Sequence, residues 1–473
     1  MIIGREHEQS ILLSLKDREE SQFCAVYGRR RVGKTYLIRE TFRYQFTFQH
    51  TGIAKGNMRQ QLRAFRDSLV RAGMERCPIP GNWYEAFGRL EQLLEGAPAG
   101  KKVVFIDELP WIDTPKSDMV GALEHFWNGW VTARAEKDIV LIVCGSATSW
   151  IVRNLLRSKG GLRGRLTERI QLMPFTLREC EQYCTVQNMQ FSRRDIAELY
   201  MILGGIPYYW SFLERGRSVA QEVDRLFFRQ GAQLKDEFEA LYDTLFSRPE
   251  RYIDVIRALS LKKAGLTREE LLGLTHLKNG GSFTRVLEEL EQCHFIRHYP
   301  SYEKSERDRL YQLIDNYTLF HYHCISRNAY ADEEYWLHTC RNPEHNTWAG
   351  LGFERLGLQH IPQIKDALGI SGVVCNVCSW RTVRNDSHEG AQIDLMIVRG
   401  DNVIDLCEMK FSRGPYAITG QDVREWDRKI AIARQVIGSR YTYHLVLVTT
   451  EGVEENQYRS APQAVITLDD LFR

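Results

Sequence analysis

The sequence lacks the long apolar segments that membrane proteins need. No run approaches the roughly 20 consecutive apolar residues that a helix requires to cross a bilayer, although 43% of the chain is hydrophobic. The N-terminal segment MIIGREHEQS also lacks a basic region followed by an apolar stretch and a small-residue cleavage site, so we expect no secretory signal. These absences predict a cytoplasmic protein without a membrane partner.

An excess of charge of one sign is also absent. The 63 basic side chains are nearly balanced by 61 acidic ones, and the formal net charge is +2. Any binding of nucleic acid must therefore come from a local patch rather than from the field of the whole protein.

The 11 cysteines are odd in number and scattered without framework spacing. This distribution predicts reduced thiols rather than a disulfide scaffold.

One cysteine pair, Cys375 and Cys378, has the CxxC spacing of half a zinc site. A structural zinc ion would require two more ligands nearby, and only His360 and His388 are candidates. The pattern favours the alternative, in which both cysteines are ordinary strand residues.

The first part of the chain alternates short apolar runs with helical patterns. The runs occupy residues 23–27, 103–106 and 139–144, and such runs are typical of buried parallel strands. After Phe175 they give way to helical patterns rich in Leu, Glu and Arg. We therefore predict an α/β fold built on a parallel sheet, followed by a helical lid.

The segment GRRRVGKT, residues 28–35, lies between the strand-like FCAVY and the helical TYLIRETF. This is the strand, loop and helix context of a Walker A motif, or P-loop, which binds ATP. Lys34 reaches the β and γ phosphate oxygens, Thr35 offers a hydroxyl to Mg²⁺, and backbone N–H groups surround the phosphates. The residues of the loop expected to bind the nucleotide are Gly28, Arg29, Arg30, Arg31, Val32, Gly33, Lys34 and Thr35.

A second motif, VVFIDE at residues 103–108, is an apolar strand that ends in two carboxylates. We expect Asp107 to hold Mg²⁺ through water and Glu108 to polarise the water that attacks the γ-phosphate. The alternative, two exposed acids after a core strand, is disfavoured because the strand follows a P-loop at a suitable distance. The two motifs together predict an ATPase.

These residues resemble the AAA+ and STAND branch of the P-loop ATPases. In that resemblance Arg5, in IIGREHE, belongs to the motif on the adenine side. Ser146 stands where the family carries a polar sensor residue, and here it departs from the more common Asn. Arg163 and Arg165 stand where similar ATPases carry an arginine finger for a neighbouring subunit, which implies a homo-oligomer. A solvated basic loop is the alternative for these two arginines.

More narrowly, four segments resemble a prokaryotic ATPase family. They are GRRRVGKT, Gly145-Ser146, Gly164-Arg165 and GGIPYYW at residues 204–210. The resemblance covers nearly the whole chain. It implies an AAA-type core, a winged helix and a C-terminal nuclease-like domain.

The C-terminal segment GAQIDLMIVRGDNVIDLCEMKFS, residues 390–412, is predicted to form a strand, a turn and a strand. Alternation places Glu408 and Lys410 on one face of the second strand. Two carboxylates, Asp394 and Glu408, can then hold Mg²⁺ against a scissile phosphate while Lys410 stabilises charge or orients the water. The spacing is similar to that of the PD-(D/E)XK nucleases, with Ile393 in place of the usual proline.

Such nucleases carry a further acid on a preceding helix, and Glu354 occupies the corresponding place. Gln421 and Lys429 follow on a later helix and are candidates for contact with the phosphate backbone. The alternative is a nuclease-like fold that retains Asp394, Glu408 and Lys410 as a buried ion cluster.

Between the lid and this region, residues 252–315 predict three helices and two strands, the order of a winged helix. The helices span residues 252–263, 267–274 and 282–293, and the strands span 295–299 and 309–313. The middle helix begins with a capping box of Thr267 and Glu270. Arg285 on the third helix lies among glutamates, so this helix matches a phosphate backbone poorly. The better candidates for phosphate contact are Lys304, Arg307 and Arg309 in the wing, which is the hairpin formed by the two strands and the loop between them. The alternative is that this hairpin is an ordinary solvated one.

The sequence thus predicts a P-loop ATPase core over residues 1–175, a helical lid over 176–248, a winged helix over 249–330 and a restriction-endonuclease-like α/β domain over 331–473. The leading interpretation is an ATP-dependent nuclease that acts on DNA with Mg²⁺. The alternative is an ATP-switched regulator that binds DNA or protein and whose nuclease-like domain is inactive. A peptide-remodelling machine is disfavoured because the chain has no convincing aromatic pore-loop motif.

Overall fold

The computed structural model describes residues 1–158, 160–246, 248–299, 309–328, 331–339, 342–382 and 390–473, except for the side chains of Glu344, Arg381 and Asp394. The chain forms two compact units, Met1–Pro174 and Phe175–Arg473. None of the helices in the described part is long and apolar enough to span a membrane.

The first unit is built on a parallel sheet whose described strands lie in the order β2-β3-β4-β1-β5. The strands are β1 (Gln22–Tyr27), β2 (Phe48–Thr51), β3 (Lys102–Asp107), β4 (Ile139–Gly145) and β5 (Glu168–Gln171). The helices are α1 (Glu6–Asp17), α2 (Lys34–Thr41), α3 (Met58–Arg71), α4 (Trp83–Glu95), α5 (Leu109–Ile112), α6 (Met119–His125) and α7 (Thr148–Ile151). The predicted α/β class and its parallel sheet are confirmed.

The central strands are buried along nearly their whole length, because helices cover both faces of a parallel sheet. Every residue of β3 and β4 is buried, which explains why both were recognisable as continuous apolar runs. The core on one side of the sheet contains Phe23, Phe65 and Trp83. The rings of Phe65 and Trp83 meet edge to face with centroids 5.5 Å apart. The two outer strands, β2 and β5, contain polar residues between their apolar ones, so they do not form continuous apolar runs and were not predicted.

The second unit contains a mixed sheet and a smaller antiparallel sheet. The described mixed sheet has the order β13-β12-β11-β10-β9, in which β9, β10 and β11 are antiparallel and β11, β12 and β13 are parallel. Its strands are β9 (Cys375–Thr382), β10 (Ala391–Arg399), β11 (Val403–Lys410), β12 (Thr442–Thr449) and β13 (Ala464–Ile466). The smaller sheet has the order β6-β8-β7, with β6 (Leu266–Thr267), β7 (Ile296–Tyr299) and β8 (Leu310–Leu313).

The described part of the second unit also contains α-helices. They are α8 (Leu177–Val186), α9 (Arg193–Leu203), α10 (Pro207–Trp210), α11 (Val219–Val223), α12 (Glu237–Leu245), α13 (Pro249–Ser260), α14 (Arg268–Leu274), α15 (Gly281–Gln292), α16 (Asn316–His323), α17 (Tyr335–Thr339), α18 (Pro343–Gln359), α19 (Ile361–Ala367) and α20 (Gly420–Ile437). The segment predicted as a lid lies in this unit, where α9 packs against α16 and α18.

The segment predicted as a winged helix contains α13, α14 and α15 followed by β7 and β8. The Thr267 capping box is present, with Thr267 accepting from the Glu270 N–H and Glu270 accepting from the Thr267 N–H. The first predicted helix was placed about three residues too late, since α13 begins at Pro249 and ends at Ser260. Proline suits this first helical position because its ring presets φ and no N–H is lost. The winged-helix assignment itself stays a prediction.

Candidate functional site

The predicted phosphate loop connects the end of β1 to the start of α2 and has an unusual backbone. Gly28, Arg31 and Gly33 have φ angles of +145°, +70° and +92°. A Cβ atom at position 28 would lie 2.3 Å from the carbonyl oxygen of Leu172, so only glycine fits there. This path turns the chain sharply into α2, whose first residue is Lys34.

Lys34 is buried at the base of the loop. Its Nζ donates to the carbonyl oxygens of Gly28 at 3.0 Å and Arg29 at 2.9 Å. Helix α2 has no side-chain cap on its N-terminal N–H groups, and such groups favour an anion. Arg29 and Val32 are buried, whereas Arg30 and Arg31 are partly exposed. The loop therefore combines a buried ammonium group with a helix N-terminus, as phosphate binding requires.

Thr35 and Asp107 meet beside the loop. The Thr35 hydroxyl lies 3.1 Å from each carboxylate oxygen of Asp107, which is buried at the end of β3. The backbone N–H of Glu108 donates to the same carboxylate at 3.0 Å, and the Cys144 thiol donates at 2.7 Å. Burial, followed by the charge of Asp107, raises the pKa of the Cys144 thiol well above its usual value. A hydroxyl and a carboxylate are oxygen ligands that suit Mg²⁺, so these residues fit the predicted ion.

Glu108 is held by the neighbouring strand. Its backbone lies in the left-handed region with φ +49°, and its carboxylate accepts from the N–H and the hydroxyl of Ser146. Ser146 directly follows β4, which pairs with β3. Two residues predicted from separate motifs therefore form one hydrogen-bonded pair.

The three other arginines predicted for the nucleotide site lie outside the phosphate loop and its contacts with Asp107 and Glu108. Arg5 precedes α1 with φ +72° and donates to the Met173 carbonyl at 2.6 Å. Arg163 and Arg165 are exposed in a turn before β5. A cavity of about 860 Å³ in the same unit is lined by Tyr44, Phe46 and others but by none of the loop residues. That cavity is separate from the nucleotide chemistry.

In the second unit, four residues predicted from the sequence line one cavity of about 560 Å³. They are Glu354 from α18, Glu408 and Lys410 from β11, and Lys429 from α20. Residues that were not predicted also line it: Lys263, Gln392, Glu425 and Arg428. Gln421, also described, is exposed in the first turn of α20 and does not line the cavity.

The alternation predicted for β11 is present, because Met409 is buried while Glu408 and Lys410 are partly exposed. Lys429 Nζ donates to the Glu408 carboxylate. Lys410 Nζ lies 3.8 Å from Asp422 Oδ1. Burial acts to raise the pKa of Asp422, but hydrogen bonds from Thr419 and Tyr416, with a smaller effect from the charge of Lys410, outweigh it and hold the pKa below its usual value.

Glu354 reaches the cavity because α18 lies close to β11. A Cβ atom at Gly357, one turn later on α18, would lie 2.6 Å from Met409 Sδ. Glu354 is nearly buried and forms an ion pair with Lys263. No signal in the sequence points to Lys263, because it comes from the turn after α13, about 90 residues earlier in the chain.

Asp394 lies on β10 beside an irregularity in the pairing with β9. Its neighbour Leu395 pairs with Cys407, which precedes Glu408, but the Asp394 side chain lies outside the described set. Within the described part of the chain, no group of three or more His, Cys, Asp or Glu side chains could hold a metal ion. The predicted Mg²⁺ site of this unit therefore stays a prediction.

The remaining predicted positions are the candidate zinc ligands and the basic residues of the wing. Cys375 and Cys378 both lie on β9, while His360 Nε2 accepts from the Leu177 N–H at 3.1 Å. Arg309 is partly buried just before β8. His388, Lys304 and Arg307 lie outside the described residues.

Residues 2–213 match a family model described as an ATPase domain predominantly from Archaea. Over 416 residues the chain is 23% identical to the uncharacterized protein MJECL04 of Methanocaldococcus jannaschii, covering 85% of each protein. Among solved structures it is similar to a Walker-type ATPase of Pyrococcus abyssi, with 18% identity, a TM-score of 0.46 and coverage of 67% of this chain and 95% of that one.

This chain is also similar to a solved structure of the ORC2 protein of Aeropyrum pernix, determined as ADPNP–ADP complexes. The identity is 14%, the TM-score is 0.42, and the match covers 66% of this chain and 90% of that one. The residues matched by the family model include the phosphate loop, Asp107, Glu108 and Ser146.

Proposed function

We propose that this chain, whose N-terminal region is a P-loop ATPase domain, uses ATP hydrolysis to control a nuclease-like site in its second unit that acts on DNA. The observation that carries the first half is the meeting of Thr35 with Asp107 beside Lys34. The second half rests on the cavity that Glu354, Glu408, Lys410 and Lys429 share.

In the ATPase reaction the loop binds and orients the triphosphate. The backbone N–H groups at the start of α2 receive phosphate oxygens, and Lys34 supplies a cation to the β and γ phosphates. Mg²⁺, when bound, neutralises the charge that develops on the phosphates during transfer. Thr35 and Asp107 are the residues that would hold it, the latter through water.

Glu108 acts on the attacking water. Its carboxylate is next in the chain to Asp107 and is oriented by Ser146, so one acid serves the ion and the other the nucleophile. Arg5 completes the binding site on the adenine side, as the family resemblance implies. Arg163 and Arg165, which are exposed, would act as an arginine finger on the ATP of a second copy in a homo-oligomer.

At the second site the proposed substrate is a DNA phosphodiester. Mg²⁺, when bound, would polarise the scissile phosphate and lower the pKa of a water ligand. Glu354, Asp394 and Glu408 are the acids proposed to hold the ion. Lys410 would stabilise negative charge on the phosphate, and Lys429 would bind the phosphate backbone.

A second candidate function is that of an ATP-switched regulator that binds DNA or protein but does not cleave. The observation that favours it is the pairing with lysines of the two described acids proposed to hold the ion, Glu408 with Lys429 and Glu354 with Lys263. Paired in this way, the groups form the ion cluster that a nuclease-like fold can retain without activity.

Cleavage of plasmid and linear DNA, with Mg²⁺ and with or without ATP, tests the proposal. We expect cleavage by the full chain that depends on ATP and is lost in Asp394→Ala and Lys410→Ala. Lys278→Ala, at an exposed position of the same unit, is the matched control and should cleave like the wild type. Unchanged cleavage in the first two variants would show that the assigned site is wrong. DNA binding without cleavage by the wild type would favour the regulator.

ATP turnover by Glu108→Gln tests the other unit. We expect turnover to fall by about 100-fold or more, since a positioned base contributes at least that factor, while ATP binding persists. Glu75→Gln, at an exposed position, controls for loss of charge. Retained hydrolysis in Glu108→Gln would remove Glu108 from this role.

A further inference from the structure

The turn between α13 and β6 is held in place by its own packing. Gly265 has a φ of +81°, and a Cβ atom there would lie 2.4 Å from the Tyr311 carbonyl oxygen on β8. Its N–H donates to the Lys262 carbonyl at 3.0 Å. The Tyr299 hydroxyl of β7 donates to the carbonyl of Ala264. The turn therefore lies directly against the small antiparallel sheet.

Two further donors fix the carbonyl group of Lys263. Arg355 on α18, whose side chain is almost fully buried, donates to Lys263 O at 2.6 Å and to Leu313 O at 3.0 Å. Gln312 Nε2 donates to Lys263 O at 2.9 Å. Three parts of the chain, α13, β8 and α18, thus hold the backbone from which the Lys263 side chain extends.

The Lys263 ammonium group extends into the cavity of the second unit. It forms an ion pair with Glu354 there, and its side chain is 50% exposed while that of Glu354 is 9% exposed. The charged side chains described along the cavity wall are four cations, Lys263, Lys410, Arg428 and Lys429, and three anions, Glu354, Glu408 and Glu425. An ammonium group has three N–H donors, and the half-exposed side chain of Lys263 allows it to meet a phosphate oxygen from the cavity while it keeps its pair with the buried Glu354.

We propose that Lys263 binds a phosphate group of the nucleic-acid substrate in this cavity. The segment predicted as a winged helix then contributes to the substrate site through this turn rather than through α15, whose Arg285 lies among glutamates. This inference rests on the proposed function of the cavity. It adds a substrate contact that comes from outside both the nuclease-like strands and their helices.

The salt dependence of DNA binding tests Lys263 directly. Affinity of the full-length protein for a fluorescently labelled DNA would be measured without divalent cations, at several salt concentrations, so that binding is separated from cleavage. A lost phosphate contact lowers the slope of log affinity against log salt by about 0.7 to 0.9, which is roughly a tenfold loss of affinity at low salt. We expect both changes in Lys263→Ala and near wild-type values in Lys263→Arg.

Lys262→Ala is the matched control, since Lys262 is the adjacent exposed lysine and does not line the cavity. Lys263→Met, which keeps most of the side-chain stem, and thermal melts of every variant separate loss of contact from loss of folding. In Lys263→Met the slope of log affinity against log salt should fall by the same amount as in Lys263→Ala.

Three results would overturn the inference. If Lys263→Ala and Lys262→Ala have equal slopes while Lys410→Ala binds DNA more weakly, the cavity binds DNA without Lys263 and only the present inference fails. If Lys263→Arg behaves like Lys263→Ala, the residue acts through the geometry of its pair with Glu354 and not through a phosphate. If the wild type binds no DNA, the proposed function fails together with the inference.

Discussion

The hydroxyl of Ser146 lies 3.1 and 2.9 Å from the two carboxylate oxygens of Glu108, and its N–H donates to the second of them at 3.0 Å. The two residues follow neighbouring parallel strands, β4 and β3. The pair orients the carboxylate that we propose to act on water. Under this proposal, Ser146 would orient Glu108 without the amide side chain that is more common at this position in the family that the chain resembles.

Removal of the Ser146 hydroxyl should slow hydrolysis without abolishing ATP binding. A hydrogen bond to a charged group contributes about 1.5 to 3 kcal/mol, so Ser146→Ala should lower kcat by roughly 10- to 100-fold. Steady-state ATP turnover and binding of a fluorescent ATP analogue would measure the two effects. Ser10→Ala, at an exposed position on α1, is the control. Weaker binding with unchanged kcat would mean that Ser146 acts on the nucleotide and not on Glu108.

Loss of the Thr35 hydroxyl should raise the Mg²⁺ concentration that the ATPase requires. Thr35 contacts both oxygens of Asp107, and removal of one ligand or its partner at a metal site typically costs about 10- to 100-fold in affinity or activity. Titration of ATP turnover with Mg²⁺ should show this shift in Thr35→Val and not in Thr35→Ser, which keeps the hydroxyl. Equal Mg²⁺ dependence in both variants would exclude Thr35 as a ligand.

Gly28→Ala should destabilise the first unit because the new methyl group would meet the carbonyl oxygen of Leu172 at 2.3 Å. The φ of +145° adds backbone strain, and a strained residue of this kind costs about 1 to 3 kcal/mol. Gly100→Ala is a suitable control, since Gly100 has a φ of +113° with no atom within 4 Å of the added Cβ. Denaturant unfolding of the two variants separates steric overlap from strain. Equal midpoints would show that the overlap costs nothing.

Acid should destabilise the second unit through His360. Burial lowers the pKa of this histidine from 6.5 to about 4, against a smaller effect of its hydrogen bond to Leu356 O. Between these two values the unfolded chain binds more protons than the folded one, so stability falls as the pH falls. The loss approaches roughly 3 kcal/mol near pH 4, and above pH 6.5 this group has no effect.

The comparison of wild type with His360→Gln isolates this contribution from those of the other buried histidines. Unfolding midpoints of the transition that reports on the second unit would be measured between pH 7 and pH 4. The wild type should lose more stability over that range than the variant. Parallel pH profiles would show that His360 does not remain neutral in the folded protein.

The phosphate loop and the strand that ends at Asp107 were predictable because each motif is local. A strand, a glycine-containing turn and a helix follow one another within residues 22–41, and full burial makes β3 and β4 continuous apolar runs. The outer strands β2 and β5 were not predicted because their polar residues interrupt the apolar run by which a buried strand is recognised. The alternation of Glu408 and Lys410 also follows from the strand period alone.

The sequence by itself therefore determined the P-loop, the two acids after β3 and the shared face of Glu408 and Lys410, because chain neighbours and strand periodicity decide all three. Only the tertiary structure brought Ser146 to Glu108, Glu354 to Glu408, and Lys263 into the same cavity. These contacts depend on sheet order and on the close packing of α18 against β11 at Gly357. Such long-range packing joins residues that no spacing along the chain relates.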